Sequence, residues 1–135
     1  MHTLPLLTQQ FAELSPFFYS RVSPEPLTAP YWVAFNTDLA AELNLDTDFQ
    51  TTANLAYLSG NAPQYAPAPI AGVYSGHQFG VYTPRLGDGR ALLIGDSVDA
   101  AGQRQEWQLK GAGKTPYSRF ADGRAILRSS IREYL

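Results

Sequence analysis

Apolar and polar residues alternate most regularly along Arg104–Lys110, where Trp107 and Leu109 take one side of an extended chain and Gln108 and Lys110 the other. The pattern predicts a half-buried strand that delivers a lysine to its end. A glycine-containing basic loop, Gly111-Ala112-Gly113-Lys114-Thr115-Pro116-Tyr117-Ser118-Arg119, follows at once. Lys110 therefore falls where regular structure stops and the backbone becomes permissive, a good place to hold an anionic group.

Upstream, Met1–Pro30 carries five prolines and reads as an extended arm, with a short helix around Gln9–Leu14 and with Phe11, Phe17, Phe18 and Tyr19 as anchors. The apolar run Tyr31–Phe35 is expected to form a strand. Asn36, Thr37 or Asp38 can cap a helix whose apolar positions are Leu39, Ala40, Leu43 and Leu45. A second short helix is expected over Thr52–Leu58, stopped by Gly60, before Pro63, Pro67 and Pro69 impose a loop.

The texture changes at about Tyr74. Gln78–Pro84 reads as a strand with Phe79, Val81 and Thr83 on one face, and Arg85–Gly89 as a tight turn because Asp-Gly is a strong hairpin signal. Arg90–Ile94 is the returning strand and Gly95–Gly102 a polar loop with Asp96 and Asp99. Together with Arg104–Lys110 these strands predict an antiparallel meander. A helix is expected from Asp122 or Gly123 to Leu135. Ile126, Leu127, Ile131, Tyr134 and Leu135 share its buried face, Arg124, Arg128 and Arg132 line one flank, and Glu133 sits at the other. A lone acid at the edge of a core-facing helix calls for a cationic partner. The helix meets the last residue without a C-cap, which predicts a fragment. The expected organisation is α+β, with residues 1–73 as arm and helical extension and 74–135 as the core.

Composition narrows the function classes. A chain of 135 residues has room for one modest core. It has no cysteine, hence no disulfide framework and no cysteine metal site, and no metal-ligand spacing is present. Nothing approaches the roughly 20 apolar residues of a membrane span. Met1–Gln10 has neither the basic and apolar regions of a signal peptide nor an Arg-rich transit character, so a cytoplasmic protein without a membrane partner is expected. The net charge of −2 is unevenly split: residues 1–84 hold six acids and one base, residues 85–135 nine bases and six acids. The excess suits a small anionic ligand near the glycines and is too small for a nucleic-acid footprint.

A strand, a glycine turn, a strand, a loop, a lysine-bearing strand and a helix with an edge glutamate form the order of a protein-kinase small lobe. There the lysine binds phosphate once a helix glutamate has fixed it. Lys110 and Glu133 are the matching pair. The kinase glycine signature fails, since Gly87 and Gly89 are present but the third glycine would fall on Leu92. Gly113-Lys114-Thr115 ends like a P-loop, yet the first glycine would fall on Gln108 and Pro116 denies the loop a following helix. His77 has no partner pattern and His2 is terminal; Ser118, Ser129 and Ser130 lack a nucleophile-elbow context. Trp107 and Tyr117 could stack a base, though core packing is the commoner fate of such side chains.

Tyr74-Ser75-Gly76-His77-Gln78-Phe79-Gly80, Leu86-Gly87-Asp88-Gly89-Arg90-Ala91, Gln108-Leu109-Lys110-Gly111-Ala112-Gly113, Thr115-Pro116-Tyr117-Ser118-Arg119 and Asp122–Glu133 resemble the selenoprotein O (YdiU) family. The resemblance extends through the Pro-rich arm and Val33-Ala34-Phe35-Asn36. It implies a kinase-like fold and a protein adenylyltransferase that holds ATP in a flipped orientation and moves AMP onto Ser, Thr or Tyr of protein substrates. By motif, Gly87, Gly89 and Arg90 would contact nucleotide, Lys110 would bind phosphate, Glu133 would pair with Lys110, and Asp122 with Gly123 would contact ATP from the helix start. Family members continue into a large lobe that supplies the Mg2+ ligands and catalytic-loop residues, so this stretch alone is expected to lack turnover. The alternative is a non-catalytic remnant or binding module.

Overall fold

The computed structural model describes residues 4–134, Gln78 by its backbone alone. His2 and Leu135 lie outside the described residues. In chain order the arm makes two 3₁₀ turns, Gln10–Glu13 and Pro16–Phe18, and then β1 (Tyr19–Arg21). Next come α1 (Thr37–Glu42), α2 (Thr52–Leu58), β2 (Ile70–Gln78), β3 (Val81–Gly87), β4 (Ala91–Val98), β5 (Arg104–Lys110) and α3 (Leu127–Tyr134). The result is an α+β structure built on a five-stranded antiparallel sheet, ordered β1-β2-β4-β5 with β3 paired to β2.

Both short helices start where their caps dictate. The Asn36 side chain accepts from the Leu39 N–H at 2.9 Å, and Thr51 Oγ1 from the Asn54 N–H at 3.1 Å. Strand β5 matches its alternation, with Leu109 buried and Gln108 and Lys110 exposed. The core is centred on Leu7, Ile94 and Leu109, with Tyr57, Leu58, Trp107 and Ala112 against it. A second knot of rings, Trp32, Phe35 and Trp107, surrounds Phe49, which is 3% exposed.

Several elements differ from expectation. Tyr31–Phe35 is not a strand: it runs irregularly while Trp32 and Phe35 turn onto Phe49. The expected strand over Gln78–Pro84 is two strands joined by a turn at Phe79 and Gly80. Both turn residues have positive φ (53° and 77°), the geometry of a two-residue hairpin, and Phe79 projects into solvent. Phenylalanine is a poor advertisement for that backbone, which is why the turn was hidden.

Arg85–Gly89 is correspondingly not a hairpin, because neither Gly87 nor Gly89 adopts positive φ and β3 does not pair with β4. Asp88 instead ties the chain back to β2: its carboxylate accepts from the Gly72 N–H at 2.8 Å, and its own N–H donates to the Gly72 carbonyl at 3.0 Å. The meander is therefore replaced by two hairpins, β2–β3 and β4–β5, joined through β2. Strand β4 also continues through the expected loop, burying Asp96. Of the expected arm anchors, Phe11 and Tyr19 pack edge to face, whereas Phe17 and Phe18 are exposed.

The last helix begins at Leu127, not at Asp122 or Gly123. Gly123 has φ +75°, and its carbonyl accepts from the Gly113 N–H at 3.1 Å; a Cβ there would overlap the Gly113 carbonyl. Docking of this segment on the glycine loop overrides its helical periodicity. Ile126 and Arg124 consequently lie before the helix. The expected core-facing side is open, with Leu127 68%, Ile131 50% and Tyr134 54% exposed.

Candidate functional site

Strand β5 carries Lys110 to its last position, directly opposite Ala91 at the start of β4. Leu109 anchors that strand end in the core while Lys110 points out. From the last turn of α3 Glu133 meets it: Lys110 Nζ donates to Oε1 at 2.6 Å and to Oε2 at 2.7 Å. The pair is about half exposed. The Lys110 hydrogen bond, and then the Lys110, Arg90 and Arg132 charges, hold the Glu133 carboxyl below its ordinary value despite some desolvation.

Beside the pair lies an open cleft of about 500 Å³ whose lining includes Gly87, Gly89, Arg90, Lys110 and Gly123. Five of the residues singled out from sequence thus share one wall system. Glu133 reaches it through Lys110, and Asp122 does not line it. The Asp122 carboxylate instead accepts from the Arg124 N–H at 2.9 Å in a loop, so the expected contact from a helix start has no helix start beneath it.

The glycines have a packing role here. A Cβ on Gly87 would overlap the Tyr117 ring, and one on Gly89 would lie 3.0 Å from the Tyr117 carbonyl oxygen. The loop that presses on them is bolted down by polar groups. Thr115 Oγ1 donates to the Asp88 carbonyl and Ser118 Oγ to the Gly89 carbonyl, both at 2.5 Å. Arg124 closes the far side, its guanidinium reaching the Glu25 carbonyl at 3.2 Å and the Gly111 carbonyl at 3.4 Å.

Tyr74, Gln108, Ser118 and Arg124 also line the cleft and were missed as site residues. Gln108 was findable, since it shares the outward side of β5 with Lys110. Tyr74 stands on a strand that the pattern did not reveal. Trp107 belongs to the core, donating to Ser97 Oγ at 2.9 Å, and His77 packs at a tilt against Tyr82, outside the cleft lining. Lys114 begins no helix; its N–H donates to Glu25 at 3.2 Å, so the P-loop reading has no phosphate cradle. Among the described residues no group of three His, Cys, Asp or Glu could hold a metal ion, and no helix is long and apolar enough to cross a membrane.

Sheet, cleft and ion pair together define an α+β domain with a basic, glycine-walled recess suited to an anion. A family model described as protein adenylyltransferase SelO matches residues 5–135, and the chain belongs to that family. It is 55% identical over 129 residues to the protein nucleotidyltransferase YdiU of Paraburkholderia xenovorans, covering 93% of this chain and 25% of that protein. The YdiU of Thiobacillus denitrificans is 49% identical over 138 residues, covering 100% and 28%, and that of Rhizobium meliloti 48% over 125 residues, covering 93% and 26%. The chain thus spans about a quarter of the length of these relatives.

Proposed function

We propose that this chain is the nucleotide-binding part of a protein adenylyltransferase, a kinase-like small lobe that clamps ATP for transfer of AMP to Ser, Thr or Tyr hydroxyls of cytoplasmic proteins. The observation that carries the reading is the Lys110–Glu133 pair at the mouth of the glycine-walled cleft. A free lysine ammonium samples many rotamers. Held by both carboxylate oxygens, it is kept where a phosphate can meet it, with Arg90 on the same wall.

In this reading Gly87 and Gly89 let the chain pass close to the nucleotide and Gly123 approaches it from the loop before α3, while Asp122, outside the cleft wall, would reach it only by releasing the Arg124 N–H. Residues 74–135 form the nucleotide-facing core and 1–73 the arm that braces it. Magnesium would neutralise the phosphate charge in such a reaction, but the described residues offer no cluster for it. We assign its ligands to the portion that the longer relatives have in addition. This chain alone therefore binds nucleotide without turnover.

Two measurements test the reading. Titration of the 135-residue chain with ATP should give saturable binding that Lys110→Ala abolishes while the fold survives. A full-length family member carrying these residues should move label from α-phosphate-labelled ATP, and none from γ-labelled ATP, onto protein. Transfer of the γ-phosphate would overturn the reaction class. Failure of this chain to bind ATP would favour the non-catalytic binding module instead.

A further inference from the structure

Across Gly87 from the nucleotide cleft lies a second open cleft of about 560 Å³, which shares Tyr74 and Gly87 with the first. Its charged lining residues are Arg85, from β3, and Arg119, from the loop after β5, and no acidic residue lines it. Neither arginine has a hydrogen-bond or ion-pair partner among the described residues. Arg21, Arg104 and Arg124 are by contrast all engaged. Arg119 is moreover held at φ +56°, an uncommon conformation for a residue of its size. Tyr117, whose hydroxyl hydrogen-bonds Ser20 at 2.8 Å, gives the cleft a fixed wall.

We infer that this cleft docks an acidic segment of the protein substrate, its carboxylates taken by Arg85 and Arg119. The inference rests on the proposed function, which supplies the need for a second substrate beside the nucleotide. Two observations favour carboxylates of a chain over the nucleotide itself. The first cleft already has its own cations, Lys110 and Arg90. The second is lined by Tyr74, Arg85, Leu86 and Gly87 of the β2–β3 hairpin, whose Tyr74, Val81 and Tyr82 are exposed and give a peptide apolar surface to lie against. Arginine binds carboxylate in a bidentate, directional way, so two of them in one groove select acidic neighbours of the acceptor hydroxyl.

The test uses the 135-residue chain and three probes: ATP, a glutamate-rich peptide with one central serine, and the same peptide with lysine replacing glutamate. Amide shifts and affinities are read by NMR titration. The acidic peptide should bind, shifting the amides of Arg85, Tyr117 and Arg119, and weaken with added salt; the lysine peptide should not bind. Arg85→Glu with Arg119→Glu should weaken the acidic peptide by on the order of tenfold or more and leave ATP affinity unchanged, which also reports an intact fold. A second variant, Arg85→Gln with Arg119→Asn, keeps a residue that tolerates the left-handed backbone and should lose the peptide likewise. Peptide binding that survives both variants, or no binding at all, would overturn the inference. So would loss of ATP together with the arginines, since the cleft would then belong to the nucleotide. Absence of ATP binding with the acidic peptide still bound would strike the nucleotide reading and leave the arginine groove in place.

Discussion

Lys110 and Glu133, 23 residues apart, bring an ammonium from the end of a strand within 2.6 and 2.7 Å of both oxygens of a carboxylate in the last turn of a helix. An exposed pair of this kind adds little to stability; its consequence is the position of the ammonium. Glu133→Gln should weaken ATP binding by roughly tenfold, because one charge-assisted hydrogen bond is kept and the fixing charge is lost. The melting temperature should barely move. Glu133 titrates below its ordinary value when folded, so the pair is intact above that lowered value and dissolves as pH falls through it. A carboxyl-carbon NMR titration should give Glu133 a lower midpoint than in Lys110→Ala; equal midpoints would contradict the coupling.

Asp96 is the opposite case, a carboxylate buried in β4. Burial alone would raise its value, but hydrogen bonds from Thr8, from the Gln10 N–H at 2.8 Å and from Arg104 outweigh it and leave it lowered. Asp96→Ala should cost about 3 kcal/mol, since it leaves Arg104 and the arm without their acceptor. The wild type should lose this contribution only in acid, as pH falls through the lowered folded value. Urea denaturation at neutral and acid pH checks both: the gap between wild type and variant should close at the acid end.

Gly87 makes a prediction that separates packing from ligand contact. Gly87→Ala should destabilise the chain by about 1–3 kcal/mol because its methyl meets the Tyr117 ring. Adding Tyr117→Ala should recover part of that loss, and thermal melts of the single and double variants measure it. No recovery would place the strain elsewhere.

Phe49 lies among Trp32, Phe35 and Trp107, and through Trp107 it supports the strand that carries Lys110. Phe49→Ala should cost roughly 3–5 kcal/mol and broaden the Trp107 indole signal. A loss under about 1 kcal/mol, far below that range, would mean the ring cluster does not brace β5.

Local chemistry was legible wherever one short stretch contained its own reasons. The α1 cap, α2 from Thr52 to Leu58 and β5 from Arg104 to Lys110 each follow from spacing within about seven residues, because caps and alternation act between near neighbours. The site was legible in part: Lys110 and Glu133 could be paired on charge and order, and Gln108 follows from strand alternation. Long-range contacts decided the remainder. Asp88 turned the expected hairpin into a tie back to β2 by reaching Gly72, the arm converted Asp96 from a loop residue into a buried one, and Gly113 held Gly123 out of the helix. Each of those outcomes depends on a partner ten or more residues away, whose approach no local periodicity encodes.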